Sequence, residues 1–217
     1  MKVTRLGLLL AIFIMCLGGC SGTIRALSDD YADDYVMRNI RPTSGVSGEE
    51  VTFEMSVCEN AGAQPLDGDD PPQVIWDFGT GAEPNVSYEL NPQVMLRDGL
   101  RSPYECSVTL RGGCLAEDVY ITTFTLAVAP LNALGVTPNT VVADGMATFS
   151  VVGITGNVTT YAWDFGGAAV SGNSNTANPS MSITGTPGAY QARVIIGNNF
   201  EAFEFPFTIV VLPAPEA

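Results

Sequence analysis

Hydrophobic and polar residues alternate along most of the chain with a period of two. The clearest alternations cover residues 51–57, 104–110, 120–128, 147–151, 190–196 and 203–211. A period of two places successive side chains on opposite faces of a β-strand, one in the core and one in water. Pro206 interrupts the last run, and since proline cannot donate to a ladder, that strand is expected to lie at a sheet edge there. The pattern predicts an all-β protein of antiparallel strands.

The strand pattern occurs twice, and the two copies share sequence blocks in the same order. Residues 74–79 read VIWDFG and residues 161–166 read YAWDFG, at a spacing of 87 residues. An Asn-Pro pair, a strand containing a tyrosine and a last apolar strand follow in both copies. The spacing changes only between predicted strands, where loops absorb insertions. Short strands repeated over about 85 residues without a helix predict two tandem immunoglobulin-like β-sandwiches.

Each copy contains one tryptophan followed directly by an aspartate. The pairs are Trp76-Asp77 in the first copy and Trp163-Asp164 in the second. An indole buries a large apolar area, so each tryptophan is expected at the centre of a core, with a sugar-stacking platform as the alternative. Aspartate commonly organises turns by accepting backbone N–H bonds. We expect both aspartates to do this rather than to bind a metal.

The run Trp-Asp-Phe-Gly, followed by Asn-Pro and then by Gly-x-Tyr-x-x-x-Val before a last strand, resembles the PKD domain. The resemblance covers residues 38–212 and is closer in the second copy. It implies domains at residues 38–130 and 131–212, with a C-terminal tail at 213–217. PKD-like domains are read as non-catalytic binding or spacer units, which contact proteins or polysaccharides in extracellular proteins.

Residues 1–19 predict a lipoprotein signal peptide. A basic start precedes an apolar run over residues 6–17, which is too short to span a bilayer, since a spanning helix needs about 20 residues. The Leu-Gly-Gly-Cys sequence that ends at Cys20 resembles the bacterial lipobox. This resemblance implies cleavage before Cys20 and a lipid on its sulfur. Because serine rather than aspartate follows, it also implies sorting to the outer membrane, with the body facing the periplasm or the cell surface.

Residues 20–37 predict an acidic tether between the lipid and the first domain. Its hydrophobic residues do not recur at a regular spacing, and it contains four aspartates, Asp29, Asp30, Asp33 and Asp34. Such charge-rich segments are typically solvated, which favours a spacer over the alternative, a divalent-cation site.

The composition narrows the possible chemistry. The chain has 217 residues, no histidine, 9 Lys+Arg and 23 Asp+Glu, for a net charge of −14. The lack of histidine excludes Ser-His-Asp and Cys-His catalysis. An acidic chain also lacks the basic surface that nucleic acid requires. Because two sandwiches leave no room for a catalytic domain, we expect no enzyme. A structural subunit of an envelope assembly and a hydrolase with paired carboxylates are the alternatives.

Five cysteines divide between the processed end and the first copy. Cys16 leaves with the signal peptide and Cys20 takes the lipid, which leaves three thiols in a compartment that permits disulfides. In an immunoglobulin-like sandwich the positions of Cys58 and Cys114 lie at the same end, so we expect a Cys58–Cys114 disulfide. Cys106 lies mid-strand on the core face and is expected to be a buried free thiol. The other two pairings stay open.

The densest acidic cluster of the body contains Asp67, Asp69 and Asp70. Calcium takes six to eight oxygen ligands, often several carboxylates from one loop. The spacing differs from that of an EF-hand loop, which favours a solvated acidic loop over a calcium site. No other cofactor is expected. This loop and the polar residues 171–178 are the candidate contact surfaces for an envelope or extracellular protein or a polysaccharide.

Overall fold

The computed structural model describes residues 35–59, 73–111, 119–167 and 173–216. The first half of this described chain contains ten strands and one 3-10 turn. They are β1 (Tyr35–Arg41), β2 (Ser44–Val46), β3 (Glu50–Thr52), β4 (Glu54–Glu59), β5 (Gln73–Asp77), β6 (Ala82–Glu83), β7 (Val86–Ser87), β8 (Gln93–Leu96), the 3-10 turn (Gly99–Arg101), β9 (Tyr104–Arg111) and β10 (Val119–Ala129).

The second half of the described chain contains nine strands. They are β11 (Gly135–Thr137), β12 (Thr140–Val142), β13 (Met146–Thr148), β14 (Ser150–Val152), β15 (Thr160–Asp164), β16 (Asn173–Ser174), β17 (Ser180–Ser182), β18 (Gly188–Gly197) and β19 (Ala202–Leu212).

The strands of each half form a two-layered sandwich. One layer is a five-stranded sheet, with the order β2-β10-β9-β5-β7 in the first sandwich and β12-β19-β18-β15-β16 in the second. The facing layer contains β1-β4 and β3-β8-β6 in the first sandwich, and β11-β14 and β13-β17 in the second. The pairs are antiparallel, except that a short early strand runs parallel to the last strand in both sandwiches. This order is immunoglobulin-like, and the prediction of two tandem all-β sandwiches is confirmed.

Each sandwich has its own hydrophobic core. The buried side chains of the first lie between Met37 and Val128, and those of the second between Ala133 and Val211. The alternation predicted for residues 104–110 is the observed one, since every second side chain of β9 is buried. Period-two patterning therefore decides which face of each long strand enters the core.

Four aromatic rings lie at the centre of each core and repeat with the same geometry. The tryptophan stacks on the phenylalanine two residues later, with ring centroids 5.8 Å apart in the first core and 5.6 Å in the second. A phenylalanine of the last strand meets the indole edge-on, at 6.2 Å and 6.1 Å. Such tilted and offset contacts add to the burial of apolar area. The sets are Phe53, Trp76, Phe78 and Phe124, and Phe149, Trp163, Phe165 and Phe207.

The first sandwich begins earlier than the sequence indicated. The predicted tether ended at residue 37, but β1 starts at Tyr35. Met37 is buried in the first core, because β1 pairs along β4 and covers that side of the sandwich. The C-terminal part of the predicted tether is therefore strand. The other domain boundaries stay predictions.

Candidate functional site

The two signature aspartates organise the turns that follow their strands. Asp77 Oδ1 accepts the backbone N–H of Gly79 at 2.8 Å, and Asp164 Oδ1 accepts that of Gly166 at 3.1 Å. Both glycines have positive φ, 58° and 59°, which favours glycine over residues with a side chain. Within the described ranges, no group of three or more cysteine, aspartate or glutamate side chains could hold a metal ion.

The two tryptophans lie inside the cores and present no face to solvent. Trp76 is 0% exposed and Trp163 is 2% exposed, so neither can serve as a sugar-stacking platform. The Trp163 indole N–H donates to the Thr176 carbonyl oxygen at 2.9 Å. The Trp76 indole N–H has no hydrogen-bond partner among the described residues. The repeated signature is therefore a core element, and among the described residues its first copy lacks the polar contact that its second copy has.

A tyrosine near the start of β9 or β18 ties each sandwich to the preceding turn. The Tyr104 hydroxyl donates to the Asp98 carbonyl oxygen, and the Tyr190 hydroxyl donates to the Thr186 carbonyl oxygen at 2.7 Å. This is the tyrosine corner of immunoglobulin-like domains. Burial, and after it the carboxylate of Asp98, raises the pKa of Tyr104 above 10.0. The hydroxyl therefore stays a donor.

Cys106 is a buried thiol on β9 and is free within the described chain. Its Sγ donates weakly to the Tyr104 carbonyl oxygen at 3.7 Å. Burial, followed by the nearby carboxylates of Asp77 and Glu105, raises the pKa of Cys106 from 9.0 to about 12. A thiol rather than a thiolate therefore occupies the core at neutral pH, and it is a poor nucleophile.

The two sandwiches meet at a polar joint around the turn between β2 and β3. Ser47 is the one buried polar residue of the described chain. Its carbonyl oxygen accepts the Asn157 N–H at 2.8 Å, and its Oγ accepts from Asn198 Nδ2 at 3.1 Å. Asn157 Nδ2 also donates to the Gly48 carbonyl oxygen at 2.9 Å. These bonds join two turns of the second sandwich to one turn of the first.

Four further residues complete the joint. Leu131, which is buried, donates its backbone N–H to Glu201 Oε1 at 2.8 Å. The Arg97 guanidinium lies over the Phe200 ring, 5.4 Å from its centroid, which is a cation–π geometry. The relative position of the sandwiches is thus set by specific bonds as well as by the connecting chain.

The outward face of the second five-stranded sheet has a shallow cleft of about 250 Å³. Arg193 lies at its centre, with Nε 3.5 Å from Asp164 Oδ2 and Nη1 3.5 Å from Glu204 Oε1. The charged side chains are about half exposed. Gln191, Ala192 and Pro206 complete the lining, and Gln191 donates to Thr208 Oγ1 at 3.2 Å. The cleft therefore offers a guanidinium, two carboxylates and an amide beside one apolar ring.

The first sandwich has no such cluster at the matching positions. Ser107 takes the place of Arg193, and Ile121 takes the place of Glu204. Sequence reasoning assigned the contact surface to loops and missed this face. One signal was present, because Arg193 is the only arginine or lysine after residue 130. The joint left no comparable signal, since serine, asparagine and glycine are common in any turn.

Several predicted site residues lie outside the described residues. They are Cys20, Asp67, Asp69, Asp70, Cys114 and part of the polar stretch 171–178. The backbone of Cys58 lies in β4, but its side chain is outside the described part. Lipidation, the calcium site and the Cys58–Cys114 disulfide therefore stay predictions. Over the described ranges, no helix has the length and apolar character that a membrane crossing requires.

Comparison with known proteins gives structural neighbours only. No family model matches the chain, and no curated protein matches it. The chain is similar to the three N-terminal domains of the bacteriophage RB49 highly immunogenic outer capsid protein (Hoc), with 13% identity and a TM-score of 0.45 over 82% of this chain and 59% of that one.

It is also similar to the N-terminal four Ig domains of Dscam1 isoform 4.44, with 15% identity and a TM-score of 0.31 over 77% of this chain and 42% of that one. A third neighbour is IG1+IG2 of DIP-gamma, with 13% identity and a TM-score of 0.34 over 84% and 99%. The chain thus spans 59% and 42% of the first two neighbours. Its own strand order and pairing carry the immunoglobulin-like assignment.

Proposed function

We propose that this chain is a non-catalytic bacterial lipoprotein of the outer membrane, and that its two PKD-like domains bind an envelope or extracellular protein or a polysaccharide. A lipid on Cys20 holds the chain at the membrane. The strongly acidic body does not supply this attachment, because anionic headgroups repel it. The body faces the periplasm or the cell surface.

The observation that carries the binding proposal is the Arg193 cleft on the second sandwich. A polysaccharide presents hydroxyl groups that both donate and accept hydrogen bonds, with apolar C–H faces between them. The guanidinium of Arg193 and the amide of Gln191 supply donors, the carboxylates of Asp164 and Glu204 supply acceptors, and Pro206 supplies an apolar ring. About 250 Å³ suits one unit of a polymer better than a large small-molecule ligand.

The chemistry of the described residues supports a binding role over a catalytic one. The one described free thiol is buried with a raised pKa, and the sequence has no histidine to act as its base. The carboxylates of Asp164 and Glu204 are each held by Arg193.

The second candidate is a structural subunit of a larger envelope assembly, in which the two sandwiches act as a spacer. The joint favours this role, because the bonds of Ser47 and Asn157 fix how far the second sandwich stands from the first. Both candidates use the same anchor, and they differ in what the second sandwich contacts.

The anchor is tested by labelling growing cells with a fatty-acid analogue. We expect label on the wild-type chain and none on Cys20→Ala, because the sulfur of Cys20 carries the diacylglyceryl group in this proposal. Equal label on the two chains, or none on either, would remove the anchor.

Binding is tested by affinity electrophoresis of the chain through gels that contain polysaccharide from its own envelope. We expect retardation of the wild type and at least a tenfold weaker effect for Arg193→Ala. Arg41→Ala is the matched control, because it also removes an arginine from an exposed ion pair, with Glu54 in the first sandwich. Equal loss in both variants would contradict a specific cleft. A stoichiometric protein partner without polysaccharide binding would favour the structural subunit.

A further inference from the structure

The last strand of the first sandwich has an edge with which no described strand pairs over most of its length. β9 pairs with β10 from Val119 to Leu126, whereas β2 pairs with its other side only from Ala127 to Ala129. The Ala127 N–H bonds the Thr43 carbonyl oxygen at 2.9 Å, so odd-numbered residues of β10 direct their backbone groups away from β9. An open edge results, formed by Val119, Ile121, Thr123 and Thr125.

The matching edge of the second sandwich is blocked. β12 pairs with β19 only from Val210 to Leu212, and the Val210 N–H bonds the Asn139 carbonyl oxygen at 2.8 Å. Even-numbered residues of β19 therefore direct their backbone groups away from β18. This confirms that Pro206 lies at a sheet edge. Pro206 has no N–H to offer and Glu204 adds a charge, and both features keep edge strands from pairing. The positions that match them on β10 hold Thr123 and Ile121.

We propose that two copies of this chain associate by pairing their open edges in antiparallel fashion, about a two-fold axis at Thr122. In this register Val119 of one copy lies opposite Thr125 of the second copy, and Ile121 lies opposite Thr123. All four residues of each open edge then exchange their backbone hydrogen bonds across the seam. The two five-stranded sheets become one continuous sheet.

The side chains of the open edge suit a second copy of the same chain. Every opposed pair on the outward face joins two β-branched residues, which are favourable cross-strand neighbours. Ile121 is 57% exposed and Val119 is 45% exposed, and pairing covers part of both. The chain carries a net charge of −14, but no charged residue lies between 119 and 129. Like charges therefore do not meet at the seam, and the two-fold symmetry closes the assembly at two copies.

Cysteine cross-linking of the full chain in its native membranes tests this register. Thr122 of each copy lies opposite Thr122 of the other at a non-hydrogen-bonded position, where Cα atoms are about 4.5 Å apart. That distance is within the range of a disulfide. We expect oxidised Thr122→Cys to run at twice the mass on a non-reducing gel. Phe205→Cys is the matched control, because Phe205 occupies the same position on the blocked strand β19.

Ile121→Glu is the second test variant, because it introduces on β10 a charge like that of Glu204 on β19. We expect it to reduce the Thr122→Cys dimer at least tenfold, and to convert the detergent-solubilised chain from dimer to monomer in sedimentation, with its far-ultraviolet circular dichroism spectrum unchanged. An equal yield from Phe205→Cys, an undiminished dimer with Ile121→Glu, or a cross-linked product with the mass of a different protein would each overturn the proposal.

Discussion

Phe53 in the first sandwich and Phe149 in the second donate their backbone N–H groups to the carbonyl oxygens of Pro92 and Pro179, at 2.9 Å in both cases. The rings of these phenylalanines lie 4.7 Å and 4.8 Å from those of Phe78 and Phe165, at tilts of 49° and 45°. The copies therefore retain the same interior although most of their residues differ. An interior position is packed from all sides, and a change of even one methylene group is felt there.

The outward faces and sheet edges of the two sandwiches differ much more than their interiors. The second carries the Arg193 cleft and a last strand that Glu204 and Pro206 block, whereas the first has an uncharged open edge. Positions on outward faces and sheet edges border solvent, so substitutions there cost little stability and can change what the surface binds. The comparison places conserved architecture in the interior and the candidate contacts at the edges and outward faces.

The largest expected contrast between the sandwiches appears at alkaline pH. Cys106 has a folded-state pKa of about 12, against 9.0 for the ordinary thiol, and the second sandwich has no cysteine. As the pH rises, the thiol of the unfolded chain ionises before that of the folded chain. The contribution of the buried thiol to stability is therefore complete below pH 9 and is lost as the pH rises toward 12. The raised pKa of Tyr104 adds a loss that begins near pH 10.

Calorimetry from pH 7 to 12 tests this contrast. We expect the free energy of unfolding of the first sandwich to fall by a few kcal/mol, and Cys106→Ala to flatten the part of the slope that begins at pH 9. If the free energy of unfolding falls equally with pH in the wild type and in Cys106→Ala, groups other than this thiol cause the loss of stability.

The next contrast concerns the indole N–H groups. Trp163→Phe removes the bond to the Thr176 carbonyl oxygen, whereas Trp76→Phe removes a buried N–H that has no partner among the described residues. Both variants leave a similar cavity, so the cavity terms cancel in the comparison. A buried unpartnered polar group costs about 1–3 kcal/mol. We therefore expect Trp76→Phe to be less destabilising than Trp163→Phe by at least about 1 kcal/mol.

Chemical denaturation followed by fluorescence suits this pair, because each variant keeps one tryptophan, in the other sandwich. Far-ultraviolet circular dichroism reports on both sandwiches, and the fluorescence of the remaining tryptophan identifies the transition of the unmutated one. An equal loss of stability in the two variants would mean that the Trp76 N–H has a partner beyond the described residues.

The sequence predicted the interior of this protein better than its surfaces. Alternation and the two Trp-Asp-Phe-Gly runs were enough for the sandwiches, since burial on one strand face imposes a local period of two. The cleft could not be derived, because Arg193, Asp164 and Glu204 lie on three strands and meet only through the register of β18 with its neighbours. The joint likewise brings Ser47 beside Asn198 across 151 residues.

The smallest expected contrast lies in the tyrosine corners. Tyr104 is 6% exposed, whereas Tyr190 is half-buried and its acceptor residue Thr186 is exposed to water. Removing the Tyr104 hydroxyl deletes its bond to the Asp98 carbonyl oxygen, and removing that of Tyr190 deletes its bond to the Thr186 carbonyl oxygen and a 3.2 Å bond with Thr186 Oγ1. A hydrogen bond contributes about 0.5–1.5 kcal/mol. We expect Tyr104→Phe to lie near the upper end of that range and Tyr190→Phe near the lower end, because water replaces the lost donor more readily at Thr186.

Urea denaturation of the two variants measures this difference, with Tyr88→Phe as the control for a hydroxyl in solvent. Tyr88 is 63% exposed, so we expect its variant to stay within about 0.5 kcal/mol of the wild type. A greater loss for Tyr190→Phe than for Tyr104→Phe would show that burial does not rank the corners. The length of the bridged turn would then be the better explanation, because Tyr104 reaches back six residues and Tyr190 only four. The shorter loop orders fewer residues and so has the smaller closure entropy to overcome.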